Sequence, residues 1–385
     1  MQPIPSNLKG RFQSQPKMFN TLLVDGPNIL QLCYHGCKQL SPQGEEIGGV
    51  FQFLLQLKIM LKKANFRHVW VFWDGENSGQ NRYNLYPMYK QNRDKNYNDD
   101  NLSPYMRKVN ERVKTMQAKA YSSVKNKRSN ANEKEEMLRQ QQIIMECLEE
   151  MFVRQFMFEE TEADDLIAFY VMHKIPSERI VILSCDRDLT QLISNSVIIF
   201  NQKIHNFINR ANSAEVLGYD YRNVVLVKTL CGDPSDNIKG IKGLGETTLL
   251  RNFGELKTGQ MELSEIIDRA RQINKQREGE KKKPLKWAEN IVNAITDGVQ
   301  GEYIYEINEQ IIDLRNPECP MMPEQAKMEL QSMMYAPLNP EGRTMTNLYD
   351  ILQRCGIEEL QDPIKFSNFF LEFKRLIEEE TKNIT

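Results

Sequence analysis

No run in this 385-residue chain approaches eighteen consecutive apolar residues, so the sequence offers no membrane-spanning helix. The first eighteen residues lack the apolar centre of a signal peptide and read as a flexible extension, 1–18. Histidine is scarce: only His35, His68, His173 and His205 occur, none beside a plausible Ser or Cys partner in sequence. That argues against triads and other imidazole-centred chemistry, and His173, which follows an apolar helical run, reads as structural. Seven cysteines are scattered, and only Cys33 and Cys37 lie close; with no second pair or suitable His cluster, no zinc site is spelled out. They read as reduced thiols serving as small hydrophobes. A strong overall charge is also missing. The formal net charge of −2, however, hides a basic stretch from Arg82 to Arg128, with 12 Lys/Arg against 4 Asp/Glu, and a second from Arg269 to Lys286.

What is present begins with short apolar runs that end in aspartate. Thr21 to Val24 leads into Asp25, Val69 to Trp73 into Asp74, and Ile180 to Leu183 into Ser184, Cys185 and Asp186. Such runs read as buried strands. Helical segments over about 48–63 and 137–173 separate them, and alternating strand and helix predicts an α/β fold with a parallel, doubly wound central sheet and helices on both faces. In such sheets ligands collect beyond the carboxyl ends of the strands, where all three aspartates would sit. Residues 196–200 and 203–207 suggest a hairpin, and a helix is expected around 222–231. The proline-rich stretch 318–343 looks like a loop-rich joint. Residues 89–135, rich in Asn, Lys and Ser, have too few apolar anchors to order themselves, although 104–121 could form a basic helix. The expected division is a catalytic domain over 19–255 and a mostly helical C-terminal region over 256–385.

The strongest chemical signal is a set of carboxylates. Glu162, Asp164 and Asp165 open a helix, with positions 162 and 165 on one face. Asp186 and Asp188 flank an arginine after a strand, and Asp233 and Asp236 flank a Pro-Ser turn. Each cluster alone is explicable as cap or turn chemistry. Together with Asp25 and Asp74 they would crowd one crevice, and so many carboxylates stay ionised side by side only if cations offset their repulsion. Hard Mg²⁺ or Mn²⁺ suits oxygen ligands, and a pair of such ions about 4 Å apart clamps a phosphodiester and activates a water.

Gly240 to Leu250 has the shape of a helix-hairpin-helix over about 228–252, a Gly243-Leu244-Gly245 turn opening a helix. Free backbone N–H groups there can hold a nucleic-acid phosphate without reading sequence. The spacing also fits a P-loop, but Glu246 stands where that motif needs lysine. From Tyr83 to Arg93, tyrosines alternate with Lys90 and Arg93, offering stacking faces beside cations; a solvated helix face explains the string equally well.

These motifs, in this order, resemble the 5′-nuclease family: phage 5′-exonucleases and the RNase H of T-even phages above all, then the 5′-nuclease domain of bacterial DNA polymerase I and the flap endonucleases. The likeness runs over about 20–255 and is carried by VDGPN at 24–28, FWDGE at 72–76, YKQNRD at 89–94, TEADDLIA at 161–168, LSCDRDLTQL at 183–192 and CGDPSDNIKGIKGLG at 231–245.

The resemblance implies a metal-dependent, structure-specific 5′→3′ nuclease acting on flap DNA, nicked duplex and RNA primers in RNA–DNA hybrids. It implies Asp25, Asp74, Glu162, Asp164 and Asp186 as ligands of two Mg²⁺ ions (Mn²⁺ substituting), with Asp165, Asp188, Asp233 and Asp236 as second-metal or outer ligands. Asp25, Asp74 and Asp186 count as catalytic with Lys90 and Arg93, which resemble cations steadying the attacked phosphate. Tyr89 resembles a residue stacking on a base. Gly240, Gly243, Gly245, Glu246 and Thr247 look like the duplex-binding hairpin, where relatives hold K⁺. The insert, about 82–136, looks like the mobile arch through which a 5′ strand passes. Residues 300–360 resemble the helical tail of the T-even enzymes only faintly. A sliding-clamp motif is not evident, and the 364–380 helix reads as core or as a docking helix. The implied setting is a monomer in the cytoplasm (of the host, if phage-encoded), working with single-strand-binding or other replication proteins. A catalytically silent junction-binding protein is the rival from another class, and a single-strand RNase with a related acidic sheet is the third reading; the intact acid set disfavours the former and the 231–250 segment the latter.

Overall fold

The computed structural model describes residues 19–37, 39–91, 129–296, 304–316, 318–338 and 341–382. In chain order the elements are β1 (Thr21–Asp25), α1 (Gly26–Gly36), α2 (Gly48–Lys63), β2 (His68–Phe72), α3 (Gln80–Leu85), α4 (Ser129–Glu150), β3 (Arg154–Phe156), α5 (Ala163–His173), β4 (Ile180–Leu183), β5 (Val197–Asn201), β6 (Asn206–Ile208), α6 (Ser213–Leu217), α7 (Val224–Cys231), β7 (Gly232–Asp233), β8 (Ile238–Lys239), α8 (Glu246–Asn252), α9 (Leu263–Gly279), α10 (Lys286–Val292), α11 (Ile304–Ile312), α12 (Glu324–Met333), α13 (Met345–Cys355) and α14 (Pro363–Lys382). They fall into two compact units, one of Met1–Gly79, Ser129–Arg210 and Pro317–Thr385, the other of Gln80–Arg128 and Ala211–Asn316. This is not the linear division read from the sequence: residue 255 falls inside the second unit, and the last helices return to the first.

The first unit is built on a sheet of order β3-β2-β1-β4-β5-β6, parallel except for β6. Its central strands are unbroken apolar runs at residues 22–24, 69–72 and 180–183 because both faces are covered. Leu22 and Val24 of β1 and Val69 and Val71 of β2 pack into a core with α1, α2, α4, α13 and α14. The alternate residues Trp70 and Phe72 meet Tyr170 of α5, at centroid distances of 5.1 and 6.1 Å. Asp25 pairs in register with Phe72, so the ends of β1 and β2 are level, and β4 flanks β1 on its other side. The chain order thus reverses at β1, which places a crevice at the carboxyl ends of β1 and β4.

Helix α2 occupies the expected 48–63, and the expected hairpin is β5–β6. The stretch 137–173 is not one helical segment: α4 stops at Glu150, Phe152 turns at φ +59°, and edge strand β3 intervenes. The expected joint over 318–343 contains helix α12, which starts directly after Pro323. Helix α14 belongs to the core, burying Phe366, Phe369, Phe370 and Phe373. All seven cysteines are free. The extension 1–18 and most of the proposed arch lie outside the described residues.

The second unit is mainly helical. Buried asparagines close its loops: Asn223 donates to the Leu256 and Gly259 carbonyls and accepts from the Met261 N–H, and Asn308 donates to the Thr229 and Lys239 carbonyls.

Candidate metal centre and nucleic-acid surface

In the first unit β1, β2 and β4 each end in or lead into an aspartate, and hydrogen bonds tie the segments that carry them. Asp25 closes β1 and caps α1, one carboxylate oxygen accepting the Asn28 N–H at 3.3 Å and the other the Ser184 hydroxyl at 2.7 Å. The Ser184 oxygen in turn accepts the Asp186 N–H at 2.9 Å, and Asn28 accepts the Cys185 N–H at 2.9 Å. The loop after β4 is therefore sewn to the end of β1, and Asp186 folds back to accept the Asp188 N–H at 2.8 Å. Asp74, beyond β2, accepts the Ala163 N–H at 2.9 Å and so caps α5 from a distant part of the chain. The Glu162, Asp164 and Asp165 carboxylates of that helix start have oxygens within 4.8 Å of one another.

The glycines following the two strand-end aspartates have a steric reason. A Cβ on Gly26 would lie 2.5 Å from the Trp73 ring, and one on Gly75 would lie 1.7 Å from the Phe158 carbonyl oxygen. Any side chain there would push apart the segments that carry the acids.

Asp25, Glu162 and Asp165 are at most 6% exposed. Burial above all, then the charges of Asp186 and Asp74, push the Asp25 carboxyl up to about 7 against the opposing pull of Ser184 and Asn28. A group crowded this way is stabilised as an anion by a cation between the oxygens, and the all-carboxylate donor set fits a hard divalent ion. The structure thus gathers Asp25, Asp74, Glu162, Asp164, Asp165, Asp186 and Asp188 in one unit. Ser184 and Asn28, which orient Asp25 and its loop, were not singled out from sequence; their place inside the motifs at 24–28 and 183–192 was the available signal.

Asp233 and Asp236 belong to the second unit. One Asp233 oxygen accepts Lys228 Nζ at 2.7 Å and the other accepts the Ser235 N–H and hydroxyl at 2.8 and 2.6 Å. Burial raises this carboxyl, but Lys228 and Ser235 prevail and hold it at about 2. Asp236 accepts the Lys90 N–H through its carbonyl at 2.9 Å.

Lys90 itself is held at φ +51°, a left-handed conformation strained for a residue with a Cβ. Its ammonium lies 4.8 Å from the Tyr89 ring centroid. The Tyr89 ring is only 6% exposed and packs with Tyr86, Met88, Ile311 and Ile312, so stacking on a base requires the ring to be uncovered first. Arg82, expected at the base of a mobile insert, is buried and donates to the Ile311 carbonyl at 3.0 Å. Arg93 lies outside the described residues.

The 240–247 segment lies between the β7–β8 ribbon and α8. Gly240 backs onto Cys231 and Gly232 so closely that a Cβ would meet the Cys231 carbonyl carbon at 2.1 Å. Ile241 and Leu244 are buried anchors, whereas Gly243, at φ +77°, and Gly245, the cap of α8, face outward. Helices α7 and α8 pack in one core through Val227, Leu230 and Leu249.

The family model described as 5′-3′ exonuclease, N-terminal resolvase-like domain, matches residues 20–122 and 108–218, together just over half of the chain, and the chain belongs to this family. It is 27% identical over 260 residues to the thermostable DNA polymerase I of Thermus caldophilus, covering 66% of this chain and 26% of the polymerase. It is 34% identical over 142 residues to a 5′-3′ exonuclease of Mycoplasmopsis pulmonis, covering 35% of this chain and 48% of that one. The chain therefore spans about a quarter of one relative and about half of the other. The fold is that of the T5 5′-exonuclease solved with zinc, at a TM-score of 0.58 and 18% identity over 87% of this chain and 99% of that one.

Proposed function

We propose that the protein is a metal-dependent, structure-specific 5′→3′ nuclease that hydrolyses phosphodiesters of flap DNA, nicked duplex and RNA primers in RNA–DNA hybrids. The observation that carries this reading is the convergence of Asp25, Asp74 and Asp186 at the carboxyl ends of β1, β2 and β4, where burial above all, and then the charges of Asp186 and Asp74, lift Asp25 to about 7.

Asp25, Asp74, Glu162, Asp164 and Asp186 would hold two Mg²⁺ ions, with Mn²⁺ able to substitute, and Asp165 and Asp188 would orient them. Bound there, the ions supply charge neutralisation at the phosphate and an activated water. Ser184 and Asn28 keep the Asp25 carboxylate aimed before substrate arrives, so no reorganisation is needed during the reaction. Asp233 and Asp236 serve the same reaction in this reading, Asp236 by fixing the Lys90 backbone. Lys90 and Arg93 steady the attacked phosphate, and Tyr89 stacks on a base once uncovered. The helix-hairpin-helix turn, through Gly240, Gly243, Gly245, Glu246 and Thr247, takes the duplex backbone by its N–H groups, and its carbonyls take K⁺. The insert over 82–136 admits the 5′ strand. The setting is a monomer in the cytoplasm, of a host cell if the chain is phage-encoded, working beside single-strand-binding or other replication proteins. No helix among the described residues is long and apolar enough to cross a membrane.

The test is an end-labelled flap, a nicked duplex and an RNA–DNA hybrid, each with Mg²⁺, EDTA or Ca²⁺. Mg²⁺-dependent release of 5′ fragments is expected. Cleavage that survives EDTA, or binding without cleavage in Mg²⁺, overturns the proposal, the second outcome in favour of a silent junction binder.

A further inference from the structure

The basic stretch 269–286, with eight lysines and arginines against two glutamates, has no part in the reading above. The second unit gives it a defined form. Helix α9 ends in a Schellman motif: the Lys281 N–H donates to the Glu278 carbonyl at 2.9 Å and the Lys282 N–H to the Arg277 carbonyl at 2.8 Å. Lys281 takes the left-handed position at φ +55°, where glycine is free of strain and lysine is not. The linker that follows is fastened at both ends, by Arg277 Nε to the Lys283 carbonyl at 2.8 Å and by Asn274, which accepts the Leu285 N–H at 2.8 Å.

Lys281, Lys282, Lys283 and Lys286 are exposed. Lys282 pairs with Glu280 at 2.7 Å; among the described residues no carboxylate pairs with Lys281, Lys283 or Lys286. The tip is also joined to the glycine turn. The Lys242 N–H donates to the Ile295 carbonyl and Asn290 of α10 donates to the Lys242 carbonyl, both at 2.8 Å, while Trp287 lies 4.0 Å from where a Gly243 Cβ would be.

An exposed lysine run is by itself only a solvated face. A run held in the strained cap of α9, fastened by two side chains and leading into α10, the helix that supports the glycine turn, is more than hydration requires. We propose that Lys281, Lys282, Lys283 and Lys286 form a second phosphate-binding surface that continues the glycine turn along a nucleic-acid duplex. Lysines suit this task, since point charges follow a phosphate backbone without reading bases. The inference rests on the duplex-binding role of the 240–247 turn.

The test is anisotropy titration of the full chain with labelled nicked duplex in Ca²⁺ across a salt series, alongside melting curves and cleavage of short single strands in Mg²⁺. Replacing Lys281, Lys282 and Lys283 together by Gln should lower the slope of log affinity against log salt by about 2–3 and weaken binding about tenfold or more. Single-strand cleavage should not change. Lys281→Gly should lower the slope by about 1 while leaving the melting temperature equal or higher, because it relieves the cap. Wild-type slope and affinity in the triple variant overturn the proposal, as does a loss of binding that comes only with lowered melting temperature. A wild-type protein that fails to bind duplex at all overturns the duplex reading itself, and that is seen before any substitution is made.

Discussion

Asp25 in the sheet unit and Asp233 in the helical unit are both buried aspartates at the end of a strand, yet their carboxyl groups are displaced in opposite directions. Asp25, surrounded by Asp74 and Asp186, is pushed up to about 7; Asp233, clasped by Lys228 and Ser235, is held at about 2. Burial alone raises both. What separates them is whether the fold supplies the counter-charge. The helical unit supplies Asp233 with a cation of its own in Lys228, whereas the sheet unit surrounds Asp25 with further carboxylates and leaves negative charge for an ion to satisfy.

The comparison breaks most completely at Asp186. Asp186→Asn should abolish Mg²⁺-dependent cleavage while duplex binding in Ca²⁺ persists; near-normal turnover would remove the metal assignment. Next comes stability in EDTA. Asp25 shifts from 3.8 unfolded to about 7 folded, so below about pH 4 it is neutral in both states. As pH rises from about 4 to 7 the unfolded chain loses the proton first, and stability falls by up to about 4 kcal/mol. Asp25→Asn should therefore flatten the pH dependence and stabilise the metal-free protein at pH 8 in denaturant titrations. An unchanged slope would mean that the carboxylates are better hydrated than their burial suggests.

Lys90→Ala should slow single-turnover cleavage by roughly 10²–10³-fold, the effect of losing one preorganised charge; a rate near wild type would make it a surface lysine. Ser184→Ala removes the hydroxyl on Asp25 and should weaken Mg²⁺ affinity about 10–100-fold by calorimetry with little change in fold. Unaltered affinity would show that Ser184 serves only the loop after β4. The smallest effect is at Asp233. Its folded value is below the unfolded 3.8, so its contribution is full above about pH 4 and is lost as pH falls towards 2. Asp233→Asn should destabilise the protein near neutrality by about 2 kcal/mol, with the difference fading in acid. Equal loss at both extremes would point to packing rather than the Lys228 pair.

Local patterns in the chain already carried a good deal. The runs before Asp25, Asp74 and Asp186 form β1, β2 and β4 because strands buried on both faces must be continuously apolar. Helix α2 was legible over its full length, and the acids of TEADDLIA sit at the helix start their spacing predicted. What needed the tertiary structure was everything set by distant partners. Asp74 caps α5 across 89 residues, and Ser184 reaches Asp25 across 159. Strand β3 has three residues and acquires its identity from pairing with β2. Tyr89 looks like an exposed nucleic-acid contact and Arg82 like the open start of a basic stretch, but both are buried against α11, a helix more than 200 residues further on. The chain thus states which residues are acidic, apolar or basic and at what period, and that sufficed for the strands, the start of α5 and the cluster of acids it carries. Whether a given buried charge meets a lysine or another carboxylate depends on contacts between segments far apart in sequence, and those are decided only when the chain packs.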